Sequence, residues 1–248
     1  MTKYPSIPTY HGLGEKGALL EQTVKFDGEV ILTEKVDGTN SRIILLPDGN
    51  FVLGSREELL YAKGDLIGNP ALGIVDALKN IADLLPHSQS EIVVAYLELY
   101  GGKITSASKQ YTSQQIVGWR LFDVAVFTDI EGLLAKSVQQ LAAWRDRGGQ
   151  FFLNEEELSQ AAKDYGFELT PRIAKVTNLP VDIQETYEFL KAMLPQSKVL
   201  LDEAARGRAE GIVARTNSRN AIAQGAAPKA IAKLRFEDYE RHAKRSGK

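Results

Sequence analysis

Seven short apolar runs with β-strand character are mixed with segregated, capped amphipathic helices, and that mixture most narrows the fold. The runs are residues 29–33, 41–46, 51–55, 91–99, 119–127, 210–215 and 230–236, rich in β-branched and aromatic residues. Pro47-Asp48-Gly49-Asn50 joins the second run to the third and reads as a hairpin turn. Three helix starts carry capping patterns: Ser137 with Gln140, Asn154 with Glu157, and Asp182 with Glu185. Gly148-Gly149 stops the first helix and Gly166 the second. Strand runs mixed with segregated helices predict an α+β fold of antiparallel sheets, not a βαβ repeat. No internal repeat, low-complexity tract or linker interrupts the chain.

With 248 residues, 44% hydrophobic and 25% charged, the chain is long enough for a sizeable core. Its lack of cysteine excludes disulfides, a thiolate zinc site and a thiol nucleophile. No window offers the ~20 apolar residues of a membrane span. Met1-Thr2-Lys3-Tyr4-Pro5 lacks the apolar core of a signal peptide. The expectation is a soluble, cytoplasmic protein. A net charge of −2 speaks against a general nucleic-acid coat but allows a basic groove. Arg241, His242, Lys244, Arg245 and Lys248 make the end of the chain basic, and it reads as a solvated, frayed tail.

The chemistry concentrates in five segments. Glu34-Lys35-Val36-Asp37-Gly38-Thr39-Asn40 sets a lysine at the end of an apolar strand, just before a glycine turn. Inside a cleft, desolvation would make that amine a usable nucleophile; taken alone, Lys35 reads as a surface lysine. In Tyr96-Leu97-Glu98-Leu99-Tyr100 the period of two turns Glu98 away from the apolar face, toward solvent or toward a ribose or metal. In Trp119-Arg120-Leu121-Phe122-Asp123, Phe122 reads as core or as a stacking platform for a base. Glu210-Gly211-Ile212-Val213 opens a strand on a glutamate and a glycine, the latter permitting close backbone approach to a ligand. In Lys233-Leu234-Arg235-Phe236 both cations share one face, opposite Ala232, Leu234 and Phe236. Two adjacent cations invite an anion, and phosphate is the natural one; their field would further favour a bare Lys35 amine. Gly12-Leu13-Gly14-Glu15-Lys16-Gly17 matches the dinucleotide glycine spacing without a preceding strand, so it reads as a loop.

In this order, the five segments resemble the covalent nucleotidyltransferase superfamily of ATP-dependent ligases and mRNA capping enzymes. The resemblance runs from about Ile31 to Arg241. Thr39-Asn40, Ser55-Arg56 and Leu121-Phe122-Asp123 are most similar to RNA ligases of the branch that seals nicks in duplex RNA. It implies an adenylyltransferase fold of antiparallel sheets flanked by helices, with an ATP cleft between them. Residues 1–240 would form the catalytic domain and 241–248 a basic tail, with no OB-fold and a partner protein as one source of a missing C-terminal module. It implies ATP as cofactor with Mg2+ or Mn2+, and a nucleic-acid partner, RNA in the first instance, with 3′-hydroxyl and 5′-phosphate ends.

By the same resemblance Lys35 is the nucleophile that carries AMP. Lys233 and Arg235 hold the α-phosphate, Glu98 the ribose, and Phe122 the adenine. Asn40 and Arg56 engage the nucleotide or the nucleic-acid end. The carbonyl of Glu34 meets the adenine amino group while its side chain faces away from Lys35. Asp37, Glu98 and Glu210 are the implied metal ligands. Asp37 and Arg235 depart from the nick-sealing branch, which often has histidine and lysine there. A minimal DNA ligase, a GTP-using capping enzyme and a non-catalytic nucleotide or nucleic-acid binding module are the competing readings.

Overall fold

The computed structural model describes residues 1–68, 73–217 and 231–245. Two antiparallel sheets carry the fold. The larger has seven strands in the order β10-β9-β8-β4-β5-β6-β7. These are β4 (Thr39–Leu45), β5 (Phe51–Ser55), β6 (Leu59–Ala62), β7 (Asp65–Leu66), β8 (Ile92–Gly101), β9 (Val117–Phe127) and β10 (Phe151–Phe152). The smaller has four, in the order β11-β3-β12-β13: β3 (Val30–Lys35), β11 (Arg172–Val176), β12 (Gly211–Thr216) and β13 (Ile231–Arg235). A hairpin of β1 (His11–Leu13) and β2 (Leu19–Thr23) stands apart, and it contains the Gly12–Gly17 segment expected as a loop.

The expected strands are all present, with ends shifted by a few residues, as is the turn at Pro47–Asn50. Side-chain oxygens cap all three expected helices: Ser137 on α4 (Val138–Asp146), Asn154 on α5 (Glu155–Tyr165) and Asp182 on α6 (Ile183–Met193). Gly166 ends α5 in the left-handed region, at φ 68°. Three further helices, α1 (Ile74–Ala82), α2 (Ser108–Tyr111) and α3 (Ile130–Leu134), lie outside those expectations. Arg241, His242, Lys244 and Arg245 do not fray; they continue α7 (Phe236–Arg245), and Arg245 donates to the Lys16 carbonyl at 2.5 Å, while Lys248 lies outside the described residues. Among the described residues no helix is long and apolar enough to cross a membrane.

Strand alternation decides what each sheet face does. Val93, Ala95, Leu97 and Leu99 of β8 enter one core, with Leu78 of α1 and Leu158 of α5. Val94 and Tyr96 face the other way, into a cluster with Tyr4, Phe127 and Phe152. In the small sheet, Leu32, Ile212, Ala214, Ala232 and Leu234 pack against α6 and α7 through Leu190, Phe236 and Tyr239. Thr33, Lys35, Val213, Arg215 and Lys233 therefore face away from that core, toward the large sheet.

Candidate active site

A cavity of about 390 Å³ lies between the two sheets. Glu34, Lys35, Asn40, Arg56, Glu98, Phe122 and Lys233 all line it. Seven residues separated by up to 199 positions in the chain thus meet at one place, which strand register explains. Val213 pairs with Thr33 and with Lys233, and Gly211 pairs with Lys35 and with Arg235, which gives two adjacent cross-strand rows. In the large sheet Glu98 pairs with Asn40. Glycine at 211 is required by the protein's own backbone. A Cβ there would stand 2.0 Å from the Leu234 carbonyl oxygen. Gly38 has the same reason, 2.1 Å from the Leu99 oxygen.

A β-bulge aims Phe122. Tyr96 pairs with Asp123 but Leu97 pairs with Leu121, so Phe122 is the extra residue. Phe122 and Asp123 consequently share the face of Tyr4. The Tyr4 hydroxyl donates to Asp123 Oδ2 at 2.8 Å, and its ring meets Phe122 edge-on at 4.9 Å.

The Lys35 side chain is 24% exposed and ion-paired with Glu210. The nearest opposite charge is a carboxylate that enters from the loop before β12. Burial pushes the Glu210 carboxyl above its usual range, with Lys35 pulling it back. Glu98 is pushed up to about 8, mainly by burial, again opposed by Lys35 and reinforced by Glu210. Burial also raises Asp37, which stands outside the cavity lining. Lys233 is held below the ordinary lysine range by burial and then by Arg235 and Lys35.

Arg235 is placed differently from the expectation. Its guanidinium forms two 2.8 Å bonds to Asp238 and pairs with Glu237 at 2.8 Å; it does not line the cavity. Carboxylates of the protein, Asp238 and Glu237, therefore take the Arg235 guanidinium. Arg56 lines the cavity while donating to Ser6 Oγ at 2.7 Å. Glu34 turns its side chain away from Lys35, toward residues 197–198, as expected. Its carboxylate accepts from Ser197 Oγ at 2.6 Å and Lys198 N at 2.8 Å, and burial raises its pKa.

Residues that the sequence reading passed over complete the walls. Tyr4, Pro5 and Ile7 close one side, and nothing in their local pattern signals it. Arg215 closes another, and the alternation of β12 could have found it, since it shares a face with Val213. It is ion-paired with Glu155 and donates to the Phe122 carbonyl at 3.3 Å; Glu155 also pairs with Arg172 at 2.6 Å. This charged group ties β12, α5 and β11 to the bulge of β9.

The cavity suits a nucleotide. Asn40 Oδ1 is buried there without a hydrogen-bond partner, an acceptor awaiting a donor. Phe122 offers an aromatic wall and Lys233 a cation. For a metal the fit is partial. Among the described residues no three His, Asp or Glu side chains are grouped so as to hold an ion by themselves, and Asp37, Glu98 and Glu210 are not brought together as one such group.

Comparison with known proteins places the chain. Residues 28–235 match the family model described as RNA ligase. No curated protein matches the sequence. Two solved forms of an archaeal ATP-dependent RNA ligase superpose with TM-scores of 0.52 and 0.51 at 18% and 17% identity. Each alignment covers 96% of this chain and 49% of that one, so the chain spans about half the length of those ligases. A Naegleria gruberi RNA ligase variant with AMP and Mn aligns at a TM-score of 0.50 and 12% identity, over 96% of this chain and 63% of that one. The mixed fold of antiparallel sheets and helices is similar to that of these RNA ligases. With the family model spanning most of its length and the ordered segments of the cleft inside the match, the chain belongs to the RNA ligase family.

Proposed function

We propose that the protein is an ATP-dependent RNA ligase that joins 3′-hydroxyl to 5′-phosphate ends, with Lys35 as its nucleophile. The observation that carries the reading is the meeting of Lys35, Asn40, Glu98, Phe122 and Lys233 in one cavity between the sheets. As a free amine, Lys35 Nζ attacks the α-phosphorus of ATP. The N–P bond forms, the bond to the β-phosphate oxygen breaks, and pyrophosphate leaves with that electron pair. A terminal oxygen of the 5′-phosphate then takes the adenylyl group, breaking the N–P bond. The 3′-hydroxyl oxygen attacks the activated 5′-phosphorus, releases its proton, and AMP departs.

Catalysis of this kind is mainly positioning and charge stabilisation. Lys233 faces the α-phosphate, Phe122 stacks on the base, Asn40 Oδ1 accepts from the nucleotide, and Glu98 lies on the ribose side. Arg56 serves the nucleotide or the incoming end. Arg235 supports Lys233 through its field rather than by direct contact. A divalent cation neutralises phosphate charge in such reactions, typically held by one or two carboxylates together with the phosphates. Glu210 and Glu98 would supply those carboxylates.

The test is protein labelling with α-³²P-ATP, then sealing of nicked duplexes with RNA or DNA on each side. Labelling from ATP, abolished in Lys35→Ala, is expected. Labelling from GTP would indicate a capping activity, sealing confined to all-DNA nicks a DNA ligase, and no labelling a binding module.

A further inference from the structure

We propose that Tyr111 is a positioning residue for Lys35, holding the backbone two residues beyond the nucleophile through its hydroxyl. The inference rests on the lysine chemistry proposed above. The ladder of β3 ends where Lys35 pairs with Gly211, and that of β4 begins where Thr39 pairs with Leu99. Residues 36–38 cross from one sheet to the other outside both ladders. The N–H of Asp37 donates across this gap to Tyr111 Oη at 2.7 Å.

Tyr111 is itself held on every side. It is fully buried, its ring meets Tyr100 edge-on at 5.0 Å, and Val36 and Val199 pack in the same cluster. Its carbonyl accepts from Leu201 N at 2.8 Å. On the other side of the nucleophile, Ser197 and Lys198 grip the Glu34 carboxylate. Tyr111 after the nucleophile, and Ser197 with Lys198 before it, thus fix the chain on both sides of Lys35. Loss of the hydroxyl would leave the Asp37 N–H without its acceptor and free the crossing to shift. Misplacement of a reacting group by ~1 Å is enough to cost ~100-fold in rate.

Tyr111→Phe keeps the ring and removes only the hydroxyl. In single-turnover labelling from ATP the rate constant should fall about tenfold, within the range such misplacement allows. The half-saturating ATP concentration should hold, because the base and phosphate contacts are untouched. Sealing of a nick with a pre-adenylated 5′ end forms no bond to Lys35, and its rate should be unchanged. Val199→Ala trims the same cluster without touching the hydroxyl; it should lower the melting temperature and leave labelling intact. Undiminished labelling in Tyr111→Phe, equal loss of labelling and sealing, or an equal loss in Val199→Ala would overturn the assignment. A wild-type protein that takes no label defeats the lysine chemistry itself, and the role of Tyr111 falls with it.

Discussion

Arg235 and Asp238 form a bidentate ion pair, with both N–O distances at 2.8 Å, across the junction where β13 passes into α7. The Asp238 side chain is 2% exposed and that of Arg235 24%. The pair holds a guanidinium beside the cavity wall while keeping it out of the cavity. Its field still reaches Lys233, whose pKa it helps to lower.

Removing one partner of a buried pair leaves an uncompensated charge, at a cost of roughly 3–5 kcal/mol. Asp238→Asn keeps the shape and removes the charge; because Arg235 keeps Glu237 and is partly exposed, the loss falls to about 2 kcal/mol, the scale of a hydrogen bond to a charged group. Urea unfolding of the two proteins measures it; a difference below about 0.5 kcal/mol, the scale of ordinary surface changes, would show the pair to be incidental.

The Glu98 carboxyl gives stability a pH dependence of known sign. Its folded pKa is raised from 4.5 to about 8, chiefly by burial. The folded protein therefore keeps a proton that the unfolded chain has released, and the contribution is complete below pH 4.5 and lost as pH rises through about 8. In metal-free buffer, melting temperatures should fall more steeply over this window for the wild type than for Glu98→Gln. Parallel curves in differential scanning fluorimetry would remove Glu98 from the list of groups strained by burial.

Phe122 should act on nucleotide affinity. Aromatic stacking on a base is worth about 1–3 kcal/mol. Phe122→Leu keeps apolar bulk against Tyr4 and removes the ring face. Its KM for ATP in the labelling reaction should rise roughly ten- to hundredfold, the stacking energy expressed as affinity. An unaltered KM would mean that the base lies elsewhere in the cavity.

Much of the site is legible along the chain because strands announce their faces. The alternation in Lys233-Leu234-Arg235 separates cations from core, and Glu98 faces opposite Leu97 and Leu99 as the same rule requires. The three capping patterns place α4, α5 and α6, since a cap is satisfied within four residues. α1 begins next to residues outside the description, and α2 is a single turn; neither carries a cap. The N-terminal wall of Tyr4, Pro5 and Ile7 has no local signature, because its partners Asp123 and Arg56 lie 119 and 50 positions away from Tyr4 and Ser6.

The amino-acid sequence alone determined which residues share a strand face, where three helices start, and that a lysine stands at a strand end beside a glycine turn. Periodicity and capping are local, so neighbouring residues suffice to write them. The tertiary structure alone decided which charges pair. Glu210 reaches Lys35 from 175 positions away, Asp238 takes Arg235, and a bulge turns Phe122 into the cleft. Electrostatic partners depend on distance and burial in the folded chain, and neither is set until the two sheets face each other.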